Sequence, residues 1–281
     1  MKNEEIISRL HRIALGDNRI DEFNDQLAQV KKKYAEAGEE VQAKQLWIFQ
    51  TILDIHETYR NAFQLIKSKS YYEGWCQLER VEIAISSLKR HFIFDKTEYA
   101  LWHIEKSVRN LQVIFPYKMF ASSELLKKKK KCSVCDKEIS IRNSCGHIVG
   151  EIYKGEMCHR IVTECEVLGI SLVENPGNKF SVMFIKDDKS GEQIDHYNYS
   201  VVNYLFELID SPYEHWNLEI SQRVRTEEKY KNVRRNDLCL CNSKKKFKNC
   251  CGNKIGERYP HYEFKLLRAP ANRDIPTQVW T

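Results

Sequence analysis

Residues 127–147 read KKKKKCSVCDKEISIRNSCGH, and two different textures meet inside this stretch. On its N-terminal side, apolar residues recur at intervals of three and four, the spacing that lines one face of an α-helix. Ile20, Phe23, Leu27, Val30 and Tyr34 form one such stripe; Ile48, Ile52, Ile55, Tyr59, Ala62 and Ile66 form a second. Trp75, Leu78, Ile85 and Leu88 mark a third helix, and Leu101, Ile104, Val108, Leu111 and Phe115 a fourth, with a short helix expected at 3–14. Helices with one apolar stripe each must bury it against one another, so residues 1–120 are expected to form an antiparallel helical bundle. Pro116 and the run ASSELLKKKKK end it.

After Cys132 short β-prone stretches replace the long stripes: 160–174, 179–187, 215–223 and 261–268. Asn175-Pro176-Gly177-Asn178 is a turn-forming spacer and predicts that the first two pair as a hairpin or meander. Val201, Leu205 and Ile209 share a helical face, and Ser211-Pro212 closes that helix. The fold class expected is therefore α+β: a helical bundle (1–120), a basic linker (121–131), a small zinc-stabilised α+β domain (132–235), a cysteine-rich knuckle (236–252), and a C-terminal strand and tail (253–281).

Of 281 residues, 42% are hydrophobic, enough to build a core, and the formal charge is only +6. The excess is concentrated at Lys127, Lys128, Lys129, Lys130 and Lys131, at Arg234 and Arg235, and at Lys244, Lys245, Lys246 and Lys248. These cations are the candidate partner-binding residues, for a protein or a nucleic acid, with Tyr153, Tyr230 and Phe247 as aromatics for stacking. The N-terminus lacks the apolar run of a signal peptide and no stretch approaches a membrane span, so a cytoplasmic location and no membrane partner are expected. Oligomerisation through the helical bundle is a further expectation.

Ten cysteines in a reducing compartment point to metal rather than disulfides. Cys132, Cys135, Cys145 and His147 have the spacing C-x2-C-x9-C-x-H, with Cys158 and His159 as alternative ligands. Cys165 on its strand and Cys76 on its helix read as unliganded buried thiols. Cys239, Cys241, Cys250 and Cys251 form a second set, C-x-C-x8-C-C, whose four thiolates suit zinc. Two zinc ions per chain are expected.

This second segment, NDLCLCNSKKKFKNCCG (236–252), resembles the SEC-C motif, the zinc-binding tail of the bacterial preprotein-translocation ATPase. Asn242 and Ser243 occupy the turn, Lys244 to Lys248 the basic stretch, and Gly252 follows the last ligand. The chain departs from that pattern in lacking the proline near the first cysteine and in placing Asn and Lys where glycines flank the serine. The resemblance implies docking to a partner rather than catalysis. The central segment CGHIVGEIYKGEMC loosely resembles cysteine-bearing inserts of tailed-phage proteins.

The phosphate-binding G-x-x-x-x-G-K-[ST], the dinucleotide G-x-G-x-x-G, the G-x-S-x-G elbow, H-E-x-x-H and the deaminase pattern do not occur. A HEPN-type ribonuclease needs a histidine where Ile66 and Phe115 stand after Arg60-Asn61 and Arg109-Asn110. His56 and His103 are read as surface or boundary residues. The reading that emerges is a noncatalytic zinc-stabilised adaptor or binding protein. The alternative is a metal-dependent nuclease or other hydrolase in a phage or antiphage context, which requires Glu164, Glu166, Asp187 and Asp188 to converge.

Overall fold

A computed structural model describes residues 3–17, 21–225, 230–241, 243–253 and 257–267. The expected Ile20 lies outside them. Five helices come first: α1 (Asn3–Ala14), α2 (Asp21–Glu36), α3 (Glu40–Lys67), α4 (Tyr71–Leu88) and α5 (Leu101–Ile114). The 28-residue α3 is central, packing against α1, α2 and α4. Its buried face therefore exceeds one stripe and includes Leu46, Phe49, Leu53 and His56 beside Ile52, Ile55, Tyr59, Ala62 and Ile66.

The turn between α3 and α4 is closed by Ser70 N donating to Leu65 O (2.8 Å) and Lys69 N donating to Ile66 O (2.9 Å). Lys69 takes the left-handed conformation (φ 67°) that this helix stop requires. The short connection makes α3 and α4 antiparallel neighbours, brought close at Gly74, where an added Cβ would sit 2.5 Å from Cγ1 of Ile66.

Lys127–Lys131, expected in a linker, lie instead in a strand, β1 (Phe120–Cys132), antiparallel to β4 (Arg160–Val173). Composition hides this because the partner is far along the chain. Lys128 meets Glu166 (2.7 Å), Lys129 meets Glu164 (2.9 Å) and Lys131 meets Asp136 (2.8 Å). Such exposed pairs are each worth at most about 1 kcal/mol, but they remove the repulsion of a lysine run.

The expected hairpin between 160–174 and 179–187 does not form. Trp75 Nε1 donates to Lys179 O and Tyr72 Oη to Phe180 O (both 2.7 Å), drawing the second stretch onto α4. It then passes beside the start of β1, with Ala121 N donating to Ser181 O (2.8 Å). Two small ladders complete this region, β2 (Ile152–Tyr153) with β3 (Glu156–Met157), and β5 (Ile185–Lys186) with β6 (Gln193–Ile194). Helix α6 (Ser200–Leu208) follows, as expected, burying Val201, Val202, Leu205 and Phe206.

His56 and His103 are buried, not at the surface. The segment after α6 explains why: Tyr213 Oη lies 2.7 Å from His56 Nδ1, and Pro212 O accepts from Tyr59 Oη (2.8 Å) and lies 3.1 Å from His103 Nε2. Polar side chains on α3 and α5 thus find partners on a loop that periodicity does not reveal.

All of this is one compact unit, so the central cysteine region is continuous with the helices; the described residues between 215 and 267 form a second unit. There β7 (Trp216–Arg225) pairs with β8 (Glu257–Leu266), antiparallel, from Trp216↔Leu266 to Arg225↔Glu257. The cysteine knuckle sits between the two strands in sequence. Among the described residues no helix is long and apolar enough to cross a membrane.

Candidate metal centres

The first centre is built where β1 ends. Cys132 closes the strand, and the turn after it returns Asp136 N to Cys132 O (2.9 Å), placing Cys135 beside Cys132. The ligand atoms of Cys132, Cys135, Cys145 and His147 all lie within 4.8 Å of one another. Cys132 is fully buried, Cys135 is exposed, and Cys145 is between. Burial would raise the Cys132 thiol, but backbone N–H groups of Val134 and Cys135 and neighbouring cysteines outweigh it and bring the group down to about 6.

The helices hold the loop that carries His147. His91 Nε2 lies 2.7 Å from Gly150 O and Arg90 donates to Val149 O (3.1 Å). Lys31 pairs with Glu156 (2.7 Å), and Glu40 accepts from Lys154 N (2.7 Å). His147 itself packs edge-on against Tyr153, whose hydroxyl accepts from Ile148 N.

Of the two alternative ligands, Cys158 lies against one member of this set, Cys132, and His159 turns away. Cys158 Sγ is buried, 3.8 Å from Cys132 Sγ. His159 is exposed, its Nδ1 3.2 Å from its neighbour Met157 O, because alternation along the extended chain turns it away. Cys165, expected to be buried, is exposed opposite Lys127, since neither face of the β1–β4 ladder is covered there. A residue that sequence reading missed is Arg160, which donates to Cys158 Sγ (3.4 Å) and to His147 O (2.7 Å). Its signal was the i, i+2 spacing from Cys158, which puts both side chains on one side of an extended chain.

The second centre lies within the knuckle of the C-terminal unit. Cys239, Cys241, Cys250 and Cys251 also lie mutually within 4.8 Å, with Cys241 and Cys250 sulfurs 3.4 Å apart and Cys250 and Cys251 3.8 Å apart. Cys239 N donates to Lys245 O and Phe247 N to Asp237 O, so the basic stretch folds back over the first cysteine pair. Hydrogen bonding from Ser243, then from Cys239, brings the Cys241 thiol down to about 6, while hydrogen bonding with Cys239 pushes Cys251 up to about 12. Four thiols sharing protons this way suit a soft tetrahedral ion that would displace them. Gly252 is required by space: a Cβ there would lie 2.8 Å from Phe247 O. Lys244 occupies the left-handed region (φ 58°), the position where the motif carries glycine; Asn242 lies outside the described residues.

Phe247 and Tyr230 are not free to stack on a partner. They are buried and stack on each other, forming with Cys239 the core beneath the metal loop. Arg234, Arg235, Lys244, Lys245 and Lys246 are exposed and Lys248 is half-buried. Beside them Leu238 and Leu240, which sequence reading passed over, are 68% and 56% exposed.

The carboxylates that a nuclease would need do not gather. Glu164 and Glu166 pair with lysines of β1, and Asp187 accepts from the backbone of Lys189 and Ser190. Among the described residues, the two cysteine-rich groups are the ones whose geometry suits a metal.

Compared with known proteins, residues 235–253 match the family model described as the SEC-C motif. Neither the curated proteins nor the solved structures gave a match.

Proposed function

We propose that the chain is a noncatalytic binding protein with two structural zinc ions, and that its C-terminal unit docks an acidic protein surface. The observation that carries this is the surface of the second centre: the segment of exposed Leu238 and Leu240 pairs with that of exposed Lys244, Lys245 and Lys246, through a bridge between Leu238 and Lys246 and Cys239 N donating to Lys245 O, on a loop that a metal would hold rigid. Four thiolates around zinc leave no coordination position for a reacting water, so the centre serves shape rather than chemistry. Leucines flanked by cations match a partner that offers both apolar area and negative charge.

A nucleic-acid partner is the second reading, supported by the lysines of β1 and of the knuckle. It is weaker on two counts. Phe247 and Tyr230 are buried, and three of the five β1 lysines already face carboxylates.

Binding titrations of the full chain separate the readings. An acidic leucine-containing peptide and single-stranded RNA are compared, with wild type against Lys244→Glu/Lys245→Glu/Lys246→Glu and against Leu238→Ser/Leu240→Ser. The proposal expects peptide binding that both variants weaken at least tenfold with zinc retained. RNA binding that is insensitive to the leucine change overturns it in favour of nucleic acid.

A further inference from the structure

Four donors of the central centre, Cys132, Cys135, Cys145 and His147, lie mutually within 4.8 Å, the number a tetrahedral ion takes, and a fifth, Cys158, stands against Cys132. Cys132 Sγ lies 3.7 Å from His147 Nδ1 and 3.8 Å from Cys158 Sγ. With zinc–sulfur bonds of about 2.3 Å, the edge of a tetrahedron of sulfurs is about 3.8 Å, so Cys158 stands at ligand distance from Cys132. Both sulfurs are fully buried.

The backbone fixes Cys158 there. Its N–H donates to Glu151 O (2.8 Å), its carbonyl accepts from Gly150 N (2.7 Å), and Ser133 N donates to His159 O (3.1 Å). Cys132 pairs in register with Arg160, so β1 and β4 deliver the two sulfurs side by side. The Arg160 guanidinium then touches both competitors for the last corner: one nitrogen donates to Cys158 Sγ, the other to the carbonyl of His147.

We propose that Cys158 is a fifth ligand of the central metal centre, exchanging with His147 for the fourth corner of an ion held throughout by Cys132, Cys135 and Cys145, with Arg160 as the positioning residue. Exchange of a neutral imidazole for a thiolate, whose proton leaves to solvent, makes the centre more negative by one charge. Arg160 offsets it, and His147 is released on a loop whose neighbours Ser144, Ile148 and Val149 are exposed.

This rests on the central cluster being a metal centre, and Cys132→Ser tests that separately: unchanged total metal would refute the metal reading itself. The exchange is tested on the full chain loaded with cobalt. His147→Ala and Cys158→Ser are each expected to keep the central ion, the former with the stronger sulfur-to-cobalt charge-transfer band, and the double variant to lose it. Loss of the ion from either single variant alone overturns the exchange. Arg160→Gln should keep the ion but move the spectrum toward that of Cys158→Ser, and Arg160→Lys should restore it; an unmoved spectrum overturns the role of Arg160. Should Cys158→Ser fail to fold, cadmium-113 resonance of the unaltered protein decides. A central signal that is split or averaged between four-sulfur and three-sulfur-one-nitrogen positions supports exchange, and one fixed at either position overturns it.

Discussion

The rings of Tyr230 and Phe247 stack with centroids 5.7 Å apart and planes 18° from parallel, directly beneath the cysteines of the second centre. With Cys239 they form a hydrophobic core there, flanked by Val233, Cys250 and Cys251. A loop this small has little else to hold it, so the rings and the proposed metal would stabilise each other. Phe247→Ala should cost about 3 kcal/mol and release the ion at a far lower chelator concentration, while Phe247→Tyr stays near wild type. Zinc release followed with a chromogenic chelator checks this. An unchanged release curve for Phe247→Ala would mean that the ring does not support the loop.

Lys244 sits at φ 58° between the cysteine pairs, a conformation that costs an L-residue about 1 kcal/mol and glycine almost nothing. Lys244→Gly should therefore hold zinc against a roughly fivefold higher chelator concentration. Lys244→Asn should gain part of this, since asparagine tolerates the left-handed region. If Lys244→Ala were as good as Lys244→Gly, backbone strain would not be the cause.

The helices and the second centre were legible in the sequence for the same reason: their information is local. The stripe from Ile52 to Ile66 needs only its own spacing, and the ligands Cys239 to Cys251 fall within one short loop. What stayed hidden depends on distant partners. Lys127–Lys131 form a strand because Glu164 and Glu166 lie opposite, and 179–187 leaves its expected partner because Trp75 and Tyr72 bind its backbone. Phe247 looked available because an aromatic among lysines resembles a stacking platform. Only its meeting with Tyr230, 17 positions earlier, shows it to be core.

Gly74 offers a test in which local preference and packing point in opposite directions. It lies inside α4, where alanine is favoured over glycine by about 1 kcal/mol. Yet an added Cβ would meet Ile66 Cγ1 at 2.5 Å and the Ile66 backbone nitrogen at 3.3 Å, so α3 and α4 would have to separate. Gly74→Ala should destabilise the helical unit by roughly 1–3 kcal/mol in urea unfolding. The double variant Ile66→Ala/Gly74→Ala should cost clearly less than the sum of the two single changes, as expected for residues in contact. Additive costs, or a more stable Gly74→Ala, would place the two helices farther apart than described.

His56 makes the helical unit sensitive to acid in a defined window. Its Nε2–H donates to Tyr99 O (2.9 Å), so Nδ1 accepts from Tyr213 Oη (2.7 Å), whose oxygen in turn accepts from Arg60 Nε (2.8 Å). Burial lowers the imidazole to about 4; the hydrogen bond to Tyr99 opposes this, and the Arg60 charge adds to it. In the unfolded chain the group returns to about 6.5, so between these values the unfolded state binds more protons than the folded state. The contribution is complete above pH 6.5, falls as pH drops through that window, and levels off below pH 4, by on the order of 3 kcal/mol in all. Urea unfolding followed by helical circular dichroism from pH 7.5 to 4.5 should show this slope in wild type. Because metal held by the two cysteine centres would also be lost in acid, His56→Gln is the control: it should be less stable at pH 7.5 yet flatter across the window. Parallel slopes for the two proteins would assign the acid sensitivity to the metal centres instead.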